Sequence, residues 1–254
     1  MTFDLKQARA FVASAALPAR PAGAVQQDST AVFFESTKPQ TVVVGSDVMA
    51  FVAGVEGEVR SALSDSALLA QLVANQKNPD KEDVLSWFED YFEVLQSIGW
   101  TVQDNGFVEY AESGEGFEVH EKILEFATAA LGPAPAALAV VTATLNALKD
   151  VGSNAGWITI FNRETQHSKA GRFQISVAEP DTKGGVLVTM LAFALKAEKT
   201  VTQVLFFKVK KTEATFRKNE GKASINMEAL KSLRDPIRKK VLDFQLGYVA
   251  GLLT

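Results

Sequence analysis

The chain has 254 residues, of which 47% are hydrophobic and 22% charged, so it can bury a sizeable core and is typical of a folded protein. It contains no cysteine, which excludes disulfides, catalytic thiolates, zinc–thiolate sites and iron–sulfur clusters. The formal net charge of −4 is unevenly distributed, because residues 104–125 are strongly acidic and residues 208–240 strongly basic.

The N-terminal sequence predicts an amphipathic helix and not a signal peptide. Asp4 and Lys6 precede a short apolar run that Arg9 and Pro18 interrupt, whereas a signal peptide has a basic lead and an unbroken apolar core. We therefore expect a protein that is cytoplasmic, or secreted without a cleaved signal peptide. Residues 18–30 are rich in proline, glycine and polar residues and predict a loop.

The next segment predicts two short strands followed by helices. Residues 31–34 and 41–44 are short apolar runs separated by polar residues, as in a hairpin or an edge pair. Ser46-Asp47 then predicts a helix cap, because valines and an alanine recur every three or four residues up to position 62. One helix is expected to end near position 63, and a second to run to about position 75.

The middle of the chain predicts three further helices and a hairpin. Residues 80–98 place an aromatic cluster on one helical face, predicted to lie in the core. Asp104-Asn105-Gly106 between alternating runs predicts a β-hairpin. Helices are expected at about 117–131 and 136–151, separated by Gly132-Pro133.

Residues 126–148 carry no charge and raise the question of a membrane segment. The length suffices for a span, but the few large apolar side chains contribute only about −0.3 to −0.6 kcal/mol each, which the two prolines, three threonines and one asparagine offset. The favoured interpretation is a buried central helical hairpin kinked at Gly132-Pro133. The alternative is a segment that leaves the core under some trigger.

The C-terminal part predicts strands closed by a helix. Strands are expected at 157–162, 172–179, 185–196 and 201–216, with 172–179 exposing one polar face and 186–195 covered on both faces. Residues 227–250 predict a helix restarted at Asp235-Pro236. The sequence thus predicts an α+β fold: a mainly antiparallel sheet of about four C-terminal strands plus short N-terminal strands, covered by helices around the buried central hairpin. We expect a single globular domain, 1–254, with a mainly helical layer at 46–151, a strand-rich part at 157–218 and the closing helix at 227–250.

The acidic stretch provides one candidate site. The carboxylates of Glu112, Glu115, Glu118 and Glu121 recur at a spacing of three and are oxygen ligands of the kind that hard cations prefer. The pattern lacks the ligands of a helix-loop-helix calcium site, so a solvated acidic surface is the favoured interpretation. His120 lies in the same stretch, but no nucleophile motif accompanies it, and we predict no catalytic residue and no cofactor.

The basic stretch provides a second candidate site. Its helical part could lie on an anionic membrane surface through five cations, Lys231, Arg234, Arg238, Lys239 and Lys240. Arg217, Lys218 and Lys222 are expected in a preceding loop. Few aromatic side chains suited to base stacking accompany these cations, which argues against nucleic acid as a partner.

Three functional interpretations remain from the sequence. The first is a non-catalytic bacterial or phage-type protein that acts through surface interactions with a protein partner, such as a virulence component. The second is a conditional membrane-active protein, pore-forming or lipid-binding, that uses the uncharged 126–148 hairpin or the apolar residues 186–207 together with the basic C-terminal helix. The third is a hydrolase that uses His120 and nearby carboxylates. The sequence leaves open whether copies of the chain associate.

Overall fold

A computed structural model describes residues 3–19, 32–104, 106–110, 116–132, 134–150, 156–201, 204–210 and 213–252. These residues form a β-sheet with a layer of helices on each face, an α+β architecture that confirms the predicted fold class. Each sheet face buries its own hydrophobic core.

Seven α-helices are present in the described residues. They are α1 Leu5–Ser14, α2 Gly57–Lys77, α3 Val84–Ser97, α4 Val119–Leu131, α5 Pro135–Asp150, α6 Gly156–Thr165 and α7 Met227–Tyr248. The side chain of Asp4 accepts hydrogen bonds at the start of α1, and those of Asp83 and Asn226 cap α3 and α7 in the same way. A short 3₁₀ turn lies at Val204–Phe206. Among the described residues no helix combines the length and the apolar character that a membrane crossing requires.

The strands are β1 Gln40–Val44, β2 Asp47–Phe51, β3 Trp100–Asp104, β4 Val108–Tyr110, β5 Phe117–Glu118, β6 Gln166–His167, β7 Ala170–Pro180, β8 Val186–Ala197, β9 Lys208–Val209, β10 Ala214–Ile225 and β11 Val249–Leu252. Nine of the described strands form one sheet in the order β11-β1-β2-β7-β8-β10-β3, with β4 also on β10 and β6 on β7. The β2–β7 pair is parallel and the other described pairs are antiparallel, so the prediction of a mainly antiparallel sheet is confirmed. β5 and β9 form a separate two-stranded ribbon.

The two helical layers bury different strand faces. Helices α1, α2, α3 and α7 cover one face and share a core that includes the predicted aromatic cluster of α3, Trp87, Phe88, Tyr91 and Phe92. Helices α4, α5 and α6 cover the other face. Alternate residues of each central strand therefore enter different cores, and the prediction that β8 is covered on both faces is confirmed.

The polar side of β7 differs from its prediction. Phe173, Ile175 and Val177 point into one core, as expected. Arg172, Gln174 and Ser176 are only 2–3% exposed and not wet, because α2 and α3 cover the face on which they lie. The alternation in the sequence shows two different faces, but it does not show that the polar one is solvated.

Several elements in the first half also correct their predictions. The predicted cap at Ser46-Asp47 is instead a turn between β1 and β2, in which Gly45 has a φ of +56° and Gln71 of α2 accepts from the main chain of Ser46 at 2.9 Å. A single helix, α2, replaces the two expected between 47 and 75. The run around Gly106 is not a hairpin, because β3 and β4 follow each other along the same edge of β10.

Four predictions in the second half are wrong as well. In place of the single strand expected at 201–216, the described residues have the 3₁₀ turn, the short strand β9 and the start of β10 at Ala214. The segment expected as a strand at 157–162 lies in α6. Arg217, Lys218 and Lys222 lie on β10 and not in a loop. α7 runs unbroken through Pro236.

Helices α4 and α5 form the predicted hairpin, and its burial is one-sided. Phe126, Leu131, Val141 and Leu145 are buried against the sheet. The opposite face of α5 is exposed and consists of small uncharged residues, Ala136, Ala139 and Ala143 among them. Pro133 of the predicted kink lies outside the described residues.

Candidate functional site

The acidic residues that the sequence proposed are only partly described. Glu112 and Glu115 lie outside the described residues, and Glu118 and Glu121 are exposed at the end of β5 and the first turn of α4. No group of three or more histidine, aspartate or glutamate side chains in the described ranges is arranged to hold a metal ion. The cation site remains a prediction.

His120 is buried and not solvated, with 6% of its surface exposed. Its Nε2 lies 3.3 Å from the carbonyl oxygen of Leu145, so the imidazole links the start of α4 to α5. This contact gives His120 a role in holding the two helices together. It offers no support for a hydrolytic site.

The five cations proposed on the C-terminal helix have different environments. Lys231, Arg238 and Lys239 are exposed. Arg234 forms an ion pair with Glu58 at 2.6 Å, and Lys240 donates to the carbonyl of Ala13 at 3.0 Å. All five lie on α7, which covers the sheet face opposite to α4 and α5.

The more distinctive site is the interface between the α4–α5 hairpin and the sheet. A row of aromatic rings crosses the sheet there, with Phe193 of β8 at its centre. The Phe193 ring centroid lies 4.7 Å from that of Phe173, 5.7 Å from that of Phe216 and 6.3 Å from that of Phe126 on α4. Such rings attract one another through dispersion and burial, which need no fixed polar geometry.

Polar contacts between this hairpin and its neighbours include two hydrogen bonds among the described residues. Thr144 of α5 and Thr41 of β1 share a hydrogen bond of 2.8 Å, and the main chain of Val119 donates to the carbonyl of Phe207 at 3.0 Å. Lys218 of β10 places its Nζ 4.1 Å from the ring centroid of Phe126. A hydrogen bond contributes about 0.5–1.5 kcal/mol net, so most of the adhesion is hydrophobic. Another apolar environment could therefore take the place of the hairpin on this face of the sheet.

The opposite face of β7, together with the neighbouring strand β2, carries a buried polar network. Gln174 Nε2 lies 3.0 Å from Asp47 Oδ2, and Ser176 donates to the same oxygen at 2.8 Å. Tyr91 of α3 lies 3.2 Å from Gln174. Burial raises the pKa of Asp47 to about 7, and the hydrogen bonds from Ser176 and Gln174 oppose that rise.

The two faces make β7 amphipathic inside the protein, whereas β8 is mainly apolar on both faces. β7 has 11 residues and β8 has 12, and a transmembrane β-strand needs about 9–11. The α4–α5 hairpin therefore conceals one apolar face of strands long enough to cross a bilayer. The sequence predicted both the uncharged hairpin and the inward apolar face of β7, but it did not show that the hairpin covers this face, because alternation indicates two faces without saying what packs on them.

No protein-family model matches the chain, and no curated protein matches it in sequence. Among solved structures the fold is similar to that of a delta-endotoxin, with a TM-score of 0.33 and 14% identity over 72% of this chain and 84% of that one. It is also similar to the Evf virulence factor, with a TM-score of 0.37 and 14% identity over 87% of this chain and 86% of that one. The activated Cyt2Ba monomer from Bacillus thuringiensis subsp. israelensis is similar with a TM-score of 0.38 and 14% identity over 70% of this chain and 97% of that one. At this level the similarities describe a general arrangement of helices and strands, and function has to be argued from the residues.

Proposed function

We propose that this protein is a conditional membrane-active protein of a toxin-like or virulence type, which disturbs bilayers when the α4–α5 hairpin separates from the sheet. Separation would present one apolar face of β7 and β8 to lipid, while their other face, which is polar on β7 and apolar on β8, stays toward the remaining helices. The observation that carries the proposal is the aromatic row of Phe173, Phe193 and Phe216, which the α4–α5 hairpin covers.

Two features favour this interpretation over a protein that acts only through its folded surface. The exposed face of α5 is uncharged over residues 135–146, so leaving water for the membrane interface involves no charge desolvation on that part of the face. The hairpin–sheet interface is apolar, so lipid chains can take the place of the helices. The proposal requires rearranged strands and not a helical span, in keeping with the absence of a suitable helix in the described residues.

The test is dye release from vesicles that contain anionic lipid, at acid, neutral and alkaline pH. The native protein is expected to release dye in at least one condition. No release in any of the three would contradict the proposal.

A matched pair of variants separates hairpin release from general destabilisation. Leu145 of α5 and Leu68 of α2 are both fully buried leucines in helices, on opposite sides of the sheet. Each Leu→Ala change costs about 2–5 kcal/mol of stability. Leu145→Ala is expected to speed dye release about tenfold or more, because it weakens the hairpin interface. Leu68→Ala, assayed at a temperature where both variants are folded, is expected to change the rate far less; equal effects would place the activating step elsewhere.

A further inference from the structure

Among the described residues two arginines are buried, and their surroundings differ. Arg60 of α2 is 0% exposed, and carbonyl oxygens surround its guanidinium. Its Nε donates to Val55 at 2.8 Å, and its Nη2 lies 3.0 Å from the carbonyl of Lys38 and 3.1 Å from that of Val52. Arg60 therefore shows how this fold satisfies a buried guanidinium.

Arg172 of β7 is 2% exposed and is not satisfied in this way. Its guanidinium lies over the ring of Trp87 at 4.1 Å, and its Nη2 donates to Asn75 Oδ1 at 2.8 Å. Its Nε and Nη1 have no hydrogen-bond partner. Burying N–H donors of a charged group without acceptors costs free energy. An acceptor bound at Nε and Nη1 would therefore stabilise the folded protein.

The acidic side chain whose charge acts on Arg172 is engaged elsewhere. Glu164 of α6 acts on Arg172 electrostatically, but its Oε1 accepts from Arg163 at 2.6 Å. Burial lowers the pKa of Arg172 to about 10, so the guanidinium still carries its charge at neutral pH. A buried cation without a bound carboxylate is an attractive position for an anion.

His167 adds a second buried group at the same place. In the β-sheet register His167 lies opposite Ala170, which precedes Arg172 by two residues on β7. Its side chain is buried, with 7% of the surface exposed, and its Nε2 has no hydrogen-bond partner. Burial first, and then the charges of Arg172 and Lys81, lower the pKa of His167 to about 3, while a hydrogen bond to the main chain of Glu164 opposes the shift. A bound anion would reverse the electrostatic part of this effect, because it would favour the protonated imidazole.

We propose that Arg172 and His167 form a buried binding site for a small oxyanion, of the size of inorganic phosphate or formate. Arg172 supplies N–H donors to the anion. His167 takes a proton from solvent onto its imidazole as the anion binds, and then donates as well. Lys81, exposed in the loop between α2 and α3, adds positive potential beside the site. The site is independent of the membrane activity proposed above.

The first test uses proton NMR of the histidine side chains during a phosphate titration. The chain has two histidines, so the signal that disappears in His167→Gln identifies this residue. Phosphate is expected to raise the pKa of His167 from about 3 toward its ordinary value of 6.5. If the His167 titration is unchanged at saturating phosphate and at saturating formate, only water occupies the site and the proposal is wrong.

The second test measures thermal unfolding in phosphate against chloride at equal ionic strength. The native protein is expected to gain about 3 °C or more in Tm at phosphate concentrations well above Kd. Arg172→Met should lose this gain, whereas Lys169→Gln, which removes an exposed cation three residues away, should keep it. Equal gains in all three proteins would reflect a general effect of phosphate on stability and would overturn the proposal. If Arg172→Met does not fold, the NMR titration of the native protein decides alone.

Discussion

At the scale of single residues, Asp47 and His167 have buried side chains whose titrations act on stability in opposite directions. Burial raises the pKa of Asp47 from 3.8 to about 7, so the folded state holds a proton that the unfolded state has released, and this contribution to stability is lost as pH rises through that range. Burial lowers the pKa of His167 from 6.5 to about 3, so the unfolded state binds the extra proton, and its contribution is lost as pH falls through that range. The two effects oppose each other between about pH 4 and pH 6.5.

Single substitutions should reveal each effect. Relative to the native protein, Asp47→Asn is expected to change the slope of unfolding free energy against pH by about +1.4 kcal/mol per pH unit in this window. His167→Gln is expected to change it by about −1.4 kcal/mol per pH unit. Urea unfolding at pH 4.5, 5.5 and 6.5 measures both slopes. Three parallel curves would show that neither group is shifted in the folded state.

At the scale of elements, the sequence predicted the helices better than the strand partners. The periodicity of Leu230, Leu233, Ile237 and Val241 identifies α7, because one apolar stripe is enough to define a helix that lies on a core. β2 was missed because valines repeat at positions 48, 52, 55 and 59 at helical spacing, although Val48 lies in β2 and Val59 in α2. Periodicity cannot show that a chain turn separates them.

The candidate sites also divide into features that the sequence identifies and features that only the folded arrangement shows. The exposed cations of α7 could be located from the sequence, because they lie opposite its apolar stripe. The polar network at Asp47 and Gln174 and the unpartnered donors of Arg172 could not, because they depend on which helices cover β7. Burial of a polar strand face is a property of tertiary packing.

The position of α7 leads to a prediction about membrane docking. Replacing Lys231, Arg238 and Lys239 together by glutamine is expected to weaken binding to anionic vesicles by about 100-fold at low salt, because each cation near such a surface contributes about 1 kcal/mol. Dye release per bound molecule should stay unchanged, because α7 covers the sheet face opposite to the α4–α5 hairpin. Sedimentation with vesicles gives the bound fraction, and a fall in release per bound molecule would place α7 in the lytic step itself.

At the scale of the whole molecule, the sheet separates two cores of different character. The core beneath α2 and α3 contains a polar network on β2 and β7, and directional hydrogen bonds from Gln174 to Tyr91 of α3 and from Arg172 to Asn75 of α2 tie those helices to β7. The core beneath α4 and α5 depends on aromatic and aliphatic contacts. This asymmetry predicts that the hairpin layer is the one that separates, while the other layer stays with the sheet.

The absence of cysteine allows this prediction to be tested with one designed crosslink. Thr41 of β1 and Thr144 of α5 are buried, and their Oγ1 atoms lie 2.8 Å apart, so a Thr41→Cys, Thr144→Cys variant is expected to form a disulfide that holds the hairpin on the sheet. The two single-cysteine variants serve as controls, since neither can form this bond. The decisive measurement is dye release from anionic vesicles by the oxidised and the reduced double variant. The account predicts that the oxidised protein releases no dye and that reduction restores release to the level of the single variants; equal release in both states would contradict it.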